Sequence, residues 1–540
     1  MRKAGTMAKF STIILAAGVG SRMKSNKPKV LHSICGKSMI ARITEAALQV
    51  SDDVHIVLYH QKEVIEAHLR EYFGSKLESI TLHTQDCQNF PGTGGALMDS
   101  SGKLIDLAHD RLVVLNGDMP LISPESIATI AQAQAPIVVS TITLENPSGY
   151  GRVLVDHSGQ ITQIIEEKDC NQAQKAIKLV NAGIYGFDRE LLERSLPRLT
   201  NDNAQQEYYL TDVIALVRSG DSALGKHSAD LANFGATADH QSSSAPKFAK
   251  NSKSPTAMPR ILEEDKQAGR EKSCREQTDL ESNFSKVDSS TAPTLNELTK
   301  DSRIVELESS APNRIKIAPF YGNVREFMGV NSKSELAQAE AIRLQELRQR
   351  AMDQGVIMRL PESIYLEEWV EFEGECEIEN NVRICGKSII KHSHIKAGSV
   401  IEHSVIEHSD IGPMAHIRPS SHISHTHIGN FVETKAAHLD GVKAGHLSYL
   451  GDCEIGSGSN VGAGVITCNY DGKQKHRTII GQNVFIGSDT QLVAPVEIES
   501  SSIIGAGSTI TTNVKSGELA LSRAKQSNIA GFFYRFFAKP

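Results

Sequence analysis

A chain of 540 residues with 57 basic and 64 acidic side chains, net charge −7, has no bulk basic signature for nucleic acid. Hydrophobic residues at 40% and charged residues at 22% fit soluble globular domains, about three or four at this length. A single tryptophan and 5% aromatics argue against base-stacking platforms, and no apolar run reaches the ~18 residues that would predict a membrane span.

At the N-terminus Arg2, Lys3 and Lys9 precede the apolar run Ile13-Ile14-Leu15, a faint imitation of a secretory signal. The run is short and passes straight into glycines, so it reads as a first buried strand. From Ser11 to Gly220 the runs STIILAAG, DVHIVLYH, RLVVLNGD, PIVVSTITL and NAGIYGF read as strands; MIARITEAAL and ELLERSLPRL have helical spacing. Strands alternating with helices predict βαβ units and a mostly parallel sheet, which binds ligands at the carboxyl ends of its strands. The loop LAAGVGSRM falls at such an end. It is not a dinucleotide fingerprint, because G-x-G-x-x-G needs glycine at Met23, nor does Gly36-Lys37-Ser38 close a P-loop, whose first glycine would fall on Leu31. Backbone N–H groups after a strand can still cradle an anion, with Arg22 and Lys29 adding fixed positive charge. Asp118, just past RLVVLNG, is a candidate for holding Mg²⁺ against phosphate oxygens. On its own it would read as a turn carboxylate.

From Leu224 to Asn313 the composition shifts to Ser, Lys, Thr, Ala and Glu without a sustained apolar period, so a mostly disordered insertion is expected. Ordered composition then resumes and leads into a helix from Lys333 to about Gln349. From Val356 to Asn513 aliphatic residues recur every six positions. Ile480, Ile486, Leu492, Ile498, Ile504 and Ile510 do so without a slip, and Ile389, Ile395, Ile401 and Ile411, Ile417, Ile423 keep the same step. That period predicts hexapeptide β-helix repeats, one strand per hexamer with the aliphatic residue inward. It breaks at ETKAAHLDGVKAGHLSYLGD and TCNYDGKQKHRT, where extruded loops and function are expected. The histidines crowding this region (His392, His394, His403, His408, His416, His422, His425, His427, His438) read as corner residues rather than metal ligands. His446 lies inside the first break, and spacing alone gives it no further role. The eight cysteines (Cys35, Cys87, Cys170, Cys274, Cys376, Cys385, Cys453, Cys468) form no C-x-x-C pair, which points to a reducing, cytoplasmic compartment.

L-A-A-G-x-G-S-R-M followed by P-K-V-L resembles the sugar-1-phosphate nucleotidylyltransferases. Joined to a hexapeptide β-helix, and with GTGGA, NGD, GYGR, NDNAQQEYYLTD, RPS, VETK, KAGHLSYLGD, GAGVITCNYDG and VFIGSDTQLVAPV in order, the chain resembles the bacterial bifunctional N-acetylglucosamine-1-phosphate uridylyltransferase/glucosamine-1-phosphate acetyltransferases. The resemblance implies an α/β, Rossmann-like nucleotidyltransferase domain followed by a left-handed parallel β-helix. It implies a uridine nucleotide, UTP, at Leu15, Ala16, Ala17, Gly18, Arg22, Lys29, Gln85, Gly92, Thr93, Asn116 and Gly117, with Asn116 where such proteins often carry Tyr. The sugar side would use Gly151, Glu166 and Asn181, and Mg²⁺ would lie between Asp118 and Asn331. In the β-helix it implies His446 as proton acceptor, Arg418, Lys435, Tyr449, Asn460 and Lys475 around the amino-sugar phosphate, and acetyl-CoA along Ala463, Asn469, Tyr470, Ser488, Ala506 and Arg523. A homotrimer with no nucleic-acid partner follows as the expected state.

The expected organisation is a uridylyltransferase domain over 8–223 and 314–332, the insertion 224–313, a linker helix 333–355, the β-helix acetyltransferase domain 356–515 and a tail 516–540 without repeat. The competing readings are a monofunctional sugar-1-phosphate nucleotidylyltransferase whose β-helix serves only to oligomerise, and a non-enzymatic regulatory assembly protein with both halves degenerate. The presence of both Asp118 and His446 with their neighbours argues against the latter.

Overall fold

The computed structural model describes residues 9–156, 159–218, 303–304 and 315–538. Most of the expected insertion, together with Cys274, lies outside the described residues. Ten strands form the N-terminal sheet: β1 (Ser11–Ala16), β2 (Asp53–Leu58), β3 (Ile80–Thr84), β4 (Arg111–Asn116), β5 (Ile137–Thr143), β6 (Arg152–Val155), β7 (Ile161–Ile165), β8 (Leu179–Asp188), β9 (Arg303–Ile304) and β10 (Ile317–Tyr321). Their order is β9-β10-β5-β8-β4-β1-β2-β3, with β6 and β7 branching from β8. The run β4-β1-β2-β3 is parallel, as is the pair β10-β5, while β8 enters antiparallel between β4 and β5. The sheet is apolar through its thickness: Leu112, Val113, Val114 and Leu115 of β4 are all buried, as a strand covered on both faces requires. The N-terminal apolar run is that strand β1, with Ile13 and Ile14 fully buried.

Helix α1 (Met39–Leu48) begins at Ser38, whose hydroxyl accepts from the Ala41 N–H at 3.3 Å. The near-P-loop Gly36-Lys37-Ser38 is therefore a hairpin turn and a helix cap. The predicted helix in ELLERSLPRL gives way to a 3-10 turn at Leu196, one residue before Pro197. Two residues of the expected insertion depart from that reading: β9 pairs antiparallel with β10, so the sheet reaches into the segment 224–313. Helix α2 (Lys333–Asp353) follows β10 and runs past the expected end at Gln349.

Beyond α2 the chain winds into three parallel sheets of ten, nine and eight strands, each built from one side of every coil. Ile378, Ile395, Ile411, Ile428, Ala444, Val461, Ile486 and Ile504 stack inward on one side. Ile389 breaks the expected register: its neighbour Ile390 is the buried residue. The first predicted phase break extrudes nothing. Thr434, Leu439, Ala444 and Leu450 keep their inward places, with the missing residues taken out of the corners. Only the second break leaves the coil, as the loop 469–477. The expected tail also differs, since Leu519–Ala520 pairs with Ile503–Ile504 and adds one more strand.

The corners account for His392, His403, His408 and His425, whereas His394, His416, His422, His427 and His438 lie on strands, against the corner reading. At one corner of successive coils His392, His408 and His425 have φ of 43, 45 and 48°, the left-handed region that side chains rarely enter. Their rings stack at 4.8 and 5.2 Å, and Gly374, one coil earlier, leaves the room that a Cβ would take from His392.

Candidate functional sites

The N-terminal site lies where β1 and β4 end side by side. Gly117 donates its N–H to the Leu15 carbonyl at 2.8 Å, and a Cβ there would stand 3.0 Å from that oxygen. This close approach brings the loop after β1 against Asp118. Gly20 turns the chain with φ of 65°, in a space already filled by the Lys29 stem. Lys29 then donates its ammonium both to Asp118 and to Asn331 Oδ1, the latter at 2.8 Å. Arg22 reaches the same Asn331 oxygen at 2.9 Å. Asn331 arrives from far along the chain because Val330 donates its N–H to the Asp118 carbonyl at 2.8 Å.

Two cavities meet at this cluster. One, of about 500 Å³, is walled by Leu15, Ala16, Ala17, Gly18, Lys29, Gln85, Gly92, Thr93, Asn116 and Asp118. The other, of about 240 Å³, is walled by Arg22, Gly151, Glu166, Asn181, Asn331 and Thr211 and shares Leu15, Thr93, Asn116 and Asp118 with the first. The structure thus brings together every residue expected at the nucleotide and sugar sides. Gly117 alone lines neither cavity and acts through its backbone. Gln85 spends its amide N–H₂ on the carbonyls of Phe90 and Gly92, at 3.0 and 2.9 Å, so its carbonyl oxygen is the group left to face a ligand. Asn116 packs against Gly183, where a Cβ would come within 2.3 Å of its amide nitrogen.

In the smaller cavity burial raises the Glu166 carboxyl above its ordinary value, opposed by a hydrogen bond from Thr211 at 3.2 Å. Asn181 donates to the Tyr185 hydroxyl at 2.5 Å and accepts from the Gly183 N–H at 3.0 Å. Thr211 and Tyr185 were not among the expected residues. NDNAQQEYYLTD contained the first as a motif member, and nothing in sequence marked the second.

The C-terminal residues fall on two sides of the solenoid and at two of its corners. His446 is exposed, and its ring has no hydrogen-bond partner among the described residues. It ends the strand Lys443–His446, whose Ala444 pairs with Val461. Register then places Ala463 one coil above His446, Ser488 and Ala506 above that. Little room exists for anything bulkier nearby: Cβ atoms on Gly462 and Gly487 would meet the next coil's backbone at 2.5 and 2.4 Å. Arg523 joins the column by donating to the Ala506 carbonyl at 2.7 Å.

Asn460 stands on the same sheet as His446, while Arg418, Lys435 and Tyr449 belong to the next one. Arg418 pairs with Glu433 at 2.8 Å. Lys475, in the extruded loop, lies beside Lys435, and this neighbouring ammonium lowers the Lys435 pKa. Asn469 donates to Asp452 and, at 3.4 Å, to the Tyr449 hydroxyl. Asn469 and Tyr470 begin the loop at the far end of that sheet, so the structure does not bring them to the Ala463 column.

The described residues contain no group of three or more His, Cys, Asp or Glu side chains arranged to hold a metal ion. His394 and His427 instead flank Asp410, His427 at 2.9 Å. No described helix is long and apolar enough to cross a membrane.

Comparison with known proteins agrees with this two-part geometry. The MobA-like NTP transferase domain family matches residues 12–179, and the bacterial transferase hexapeptide family matches residues 477–512. A bifunctional protein GlmU of Wolinella succinogenes is 47% identical over 529 residues, covering 98% of this chain and 99% of its own. Those of Helicobacter hepaticus and Helicobacter pylori are 46% and 44% identical, each over 98% of this chain and 97% and 100% of their own. The chain belongs to the GlmU family. It is a bifunctional transferase, and the alternative of a nucleotidyltransferase carrying a passive β-helix is set aside for a GlmU member matched over its whole length.

Proposed function

We propose that the chain makes UDP-N-acetylglucosamine in two steps at two separate sites. At the β-helix, acetyl-CoA acetylates the amine of glucosamine 1-phosphate; at the N-terminal sheet, UTP and the resulting N-acetylglucosamine 1-phosphate give UDP-N-acetylglucosamine and diphosphate. The observation that carries this reading is the pair of cavities meeting at Asp118, one sized for a nucleotide and the other for a sugar phosphate.

In the first cavity the N–H groups of the loop after β1 face the phosphates, and Lys29 there and Arg22 from the adjoining cavity neutralise them. A phosphate oxygen of the sugar attacks the α-phosphorus of UTP in line; the bond to the β-phosphate oxygen breaks and diphosphate leaves. Such transfer depends on placement and charge neutralisation rather than on a protein nucleophile. Gly151, Glu166 and Asn181 hold the sugar, and the Gln85 carbonyl oxygen is placed to accept from the uracil N–H. Asp118 and Asn331 fit Mg²⁺: their oxygens converge on one cationic group, the Lys29 ammonium, and Mg²⁺ takes few protein oxygens beside phosphates and water. When bound, Mg²⁺ would supply charge neutralisation on the triphosphate.

On the β-helix the column of Ala463, Ser488 and Ala506 leaves space for an extended pantetheine arm ending at His446. The His446 imidazole takes the proton from the sugar amine as nitrogen attacks the thioester carbonyl, and the CoA thiolate leaves. Arg418, Lys435 and Lys475 hold the phosphate, with Tyr449 and Asn460 beside the sugar. Asn469 and Tyr470 are at another corner and serve the acetyl-CoA of a neighbouring copy, in a homotrimer. In support, Met414, Phe431 and Leu447 expose 54, 56 and 63% of their surface at the corner next to His446, an apolar stripe suited to being covered by a second chain. The whole reaction needs only soluble substrates, in keeping with a cytoplasmic enzyme.

Two product assays test the proposal. Thiol release from acetyl-CoA should require glucosamine 1-phosphate, and diphosphate release from UTP should require N-acetylglucosamine 1-phosphate. Absence of either dependence overturns that half.

A further inference from the structure

Lys29 and Asn331, bonded to each other at 2.8 Å, each lead away from the N-terminal site toward the base of the β-helix. From Lys29 the chain makes one 3-10 turn and enters the hairpin formed by Ser33–Ile34 and Lys37–Ser38. From Asn331 it enters α2 directly, through a cap in which Ser332 and the Asn331 N–H both bond Glu335, at 2.9 and 2.8 Å. The two arms come together again at Glu368, on the first coil. Its N–H donates to the Cys35 carbonyl at 3.1 Å. Its carboxylate accepts from Arg42 at 2.8 Å, and Arg42 also grips the Ile34 carbonyl of the hairpin at 2.8 Å. On the other side Arg343 of α2 donates to both Glu368 oxygens, one of them at 3.0 Å.

The joint is tight. Glu368 and Arg42 expose only 11 and 7% of their side chains. Burial would raise the Glu368 carboxyl, but Arg343 and Arg42 outweigh it and hold it at about 2, so it stays ionised. Gly36, with φ of 83°, has no room for a Cβ, which would stand 2.7 Å from Glu367 and 2.9 Å from Trp369. The contacts close into a ring in which Glu368 sits opposite the Lys29–Asn331 bond.

We propose that Glu368, a β-helix residue, is a positioning residue for uridylyl transfer: it fixes the spacing of the two arms that carry Lys29 and Asn331. Removing its charge leaves two buried guanidiniums facing each other, and the arms spread. The inference rests on the uridylyl-transfer reading of the N-terminal site.

A double-mutant cycle in the full chain tests it. Glu368→Gln should lower kcat/KM for uridylyl transfer about tenfold, within the range of long-range coupling, and leave acetyl transfer unchanged. In a Lys29→Ala background the same substitution should lower the residual activity hardly at all, because what Glu368 fixes is the spacing of Lys29 from Asn331, and one end of that spacing is gone. Gly36→Ala pushes the hairpin away with every charge intact and should reproduce both results, which decides the matter if Glu368→Gln does not fold. An equal loss with and without Lys29, no loss, or a matching loss of acetyl transfer would overturn the inference. An unsubstituted chain that acetylates but releases no diphosphate would overturn the underlying reading instead.

Discussion

The two sites are built in opposite ways. The N-terminal site is a crevice within a single chain: strand ends, a tight glycine approach at Gly117 and a returning segment at Asn331 wall two joined cavities. The residues proposed for acetyl transfer instead sit on the outside of a solenoid, with His446 exposed and the expected acetyl-CoA contacts divided between two corners. A parallel sheet makes a crevice of its own at its strand ends. A solenoid makes only faces and corners, and needs a second surface to make a pocket.

That contrast predicts separable losses. His446→Ala should cut acetyl transfer at least about a hundredfold, the usual scale of a general base, with diphosphate release unaffected. Lys29→Ala should do the reverse, lowering uridylyl transfer by about 10²–10³, as for loss of a charge-stabilising donor. A loss of both activities from either substitution would break the comparison. Dilution sharpens it further: if the proposed trimer forms the acetyl-transfer pocket, acetyl transfer should fall on dilution while uridylyl transfer per chain stays constant, with sedimentation at the same concentrations reporting the assembly. The smallest effect concerns Glu166. Because burial raises its carboxyl in the folded chain, it favours folding below the ordinary Glu range, and that contribution is lost as pH rises through the raised value. Glu166→Gln should therefore flatten the fall in Tm between acid and neutral pH, measured by thermal unfolding without substrates.

Sequence made much of this visible, and for identifiable reasons. The hexad Ile480 to Ile510 lies buried as its spacing required, since a solenoid repeats one environment per coil. It did not reveal that Ile390, not Ile389, points inward, because adjacent isoleucines serve either register. Nor did it show that the break around His446 is absorbed rather than extruded: shortening a corner costs a residue without displacing Leu439 or Ala444. The stacked histidines likewise required the corners, whose left-handed φ at His392, His408 and His425 no spacing rule announces. Asn331 was placed by resemblance alone, since its contact with Lys29 spans the whole insertion. The joint at Glu368 was invisible for the same reason: its partners Arg42 and Arg343 are ordinary helix arginines until the fold brings them together.

The most direct test mixes two crippled chains. Asp118→Ala and His446→Ala, each purified separately, should fail alone to convert glucosamine 1-phosphate, acetyl-CoA and UTP into UDP-N-acetylglucosamine. Combined, they should make it, because the acetylated sugar phosphate leaves one chain and enters another. A mixture as inactive as its components would contradict the account of two independent sites in one chain.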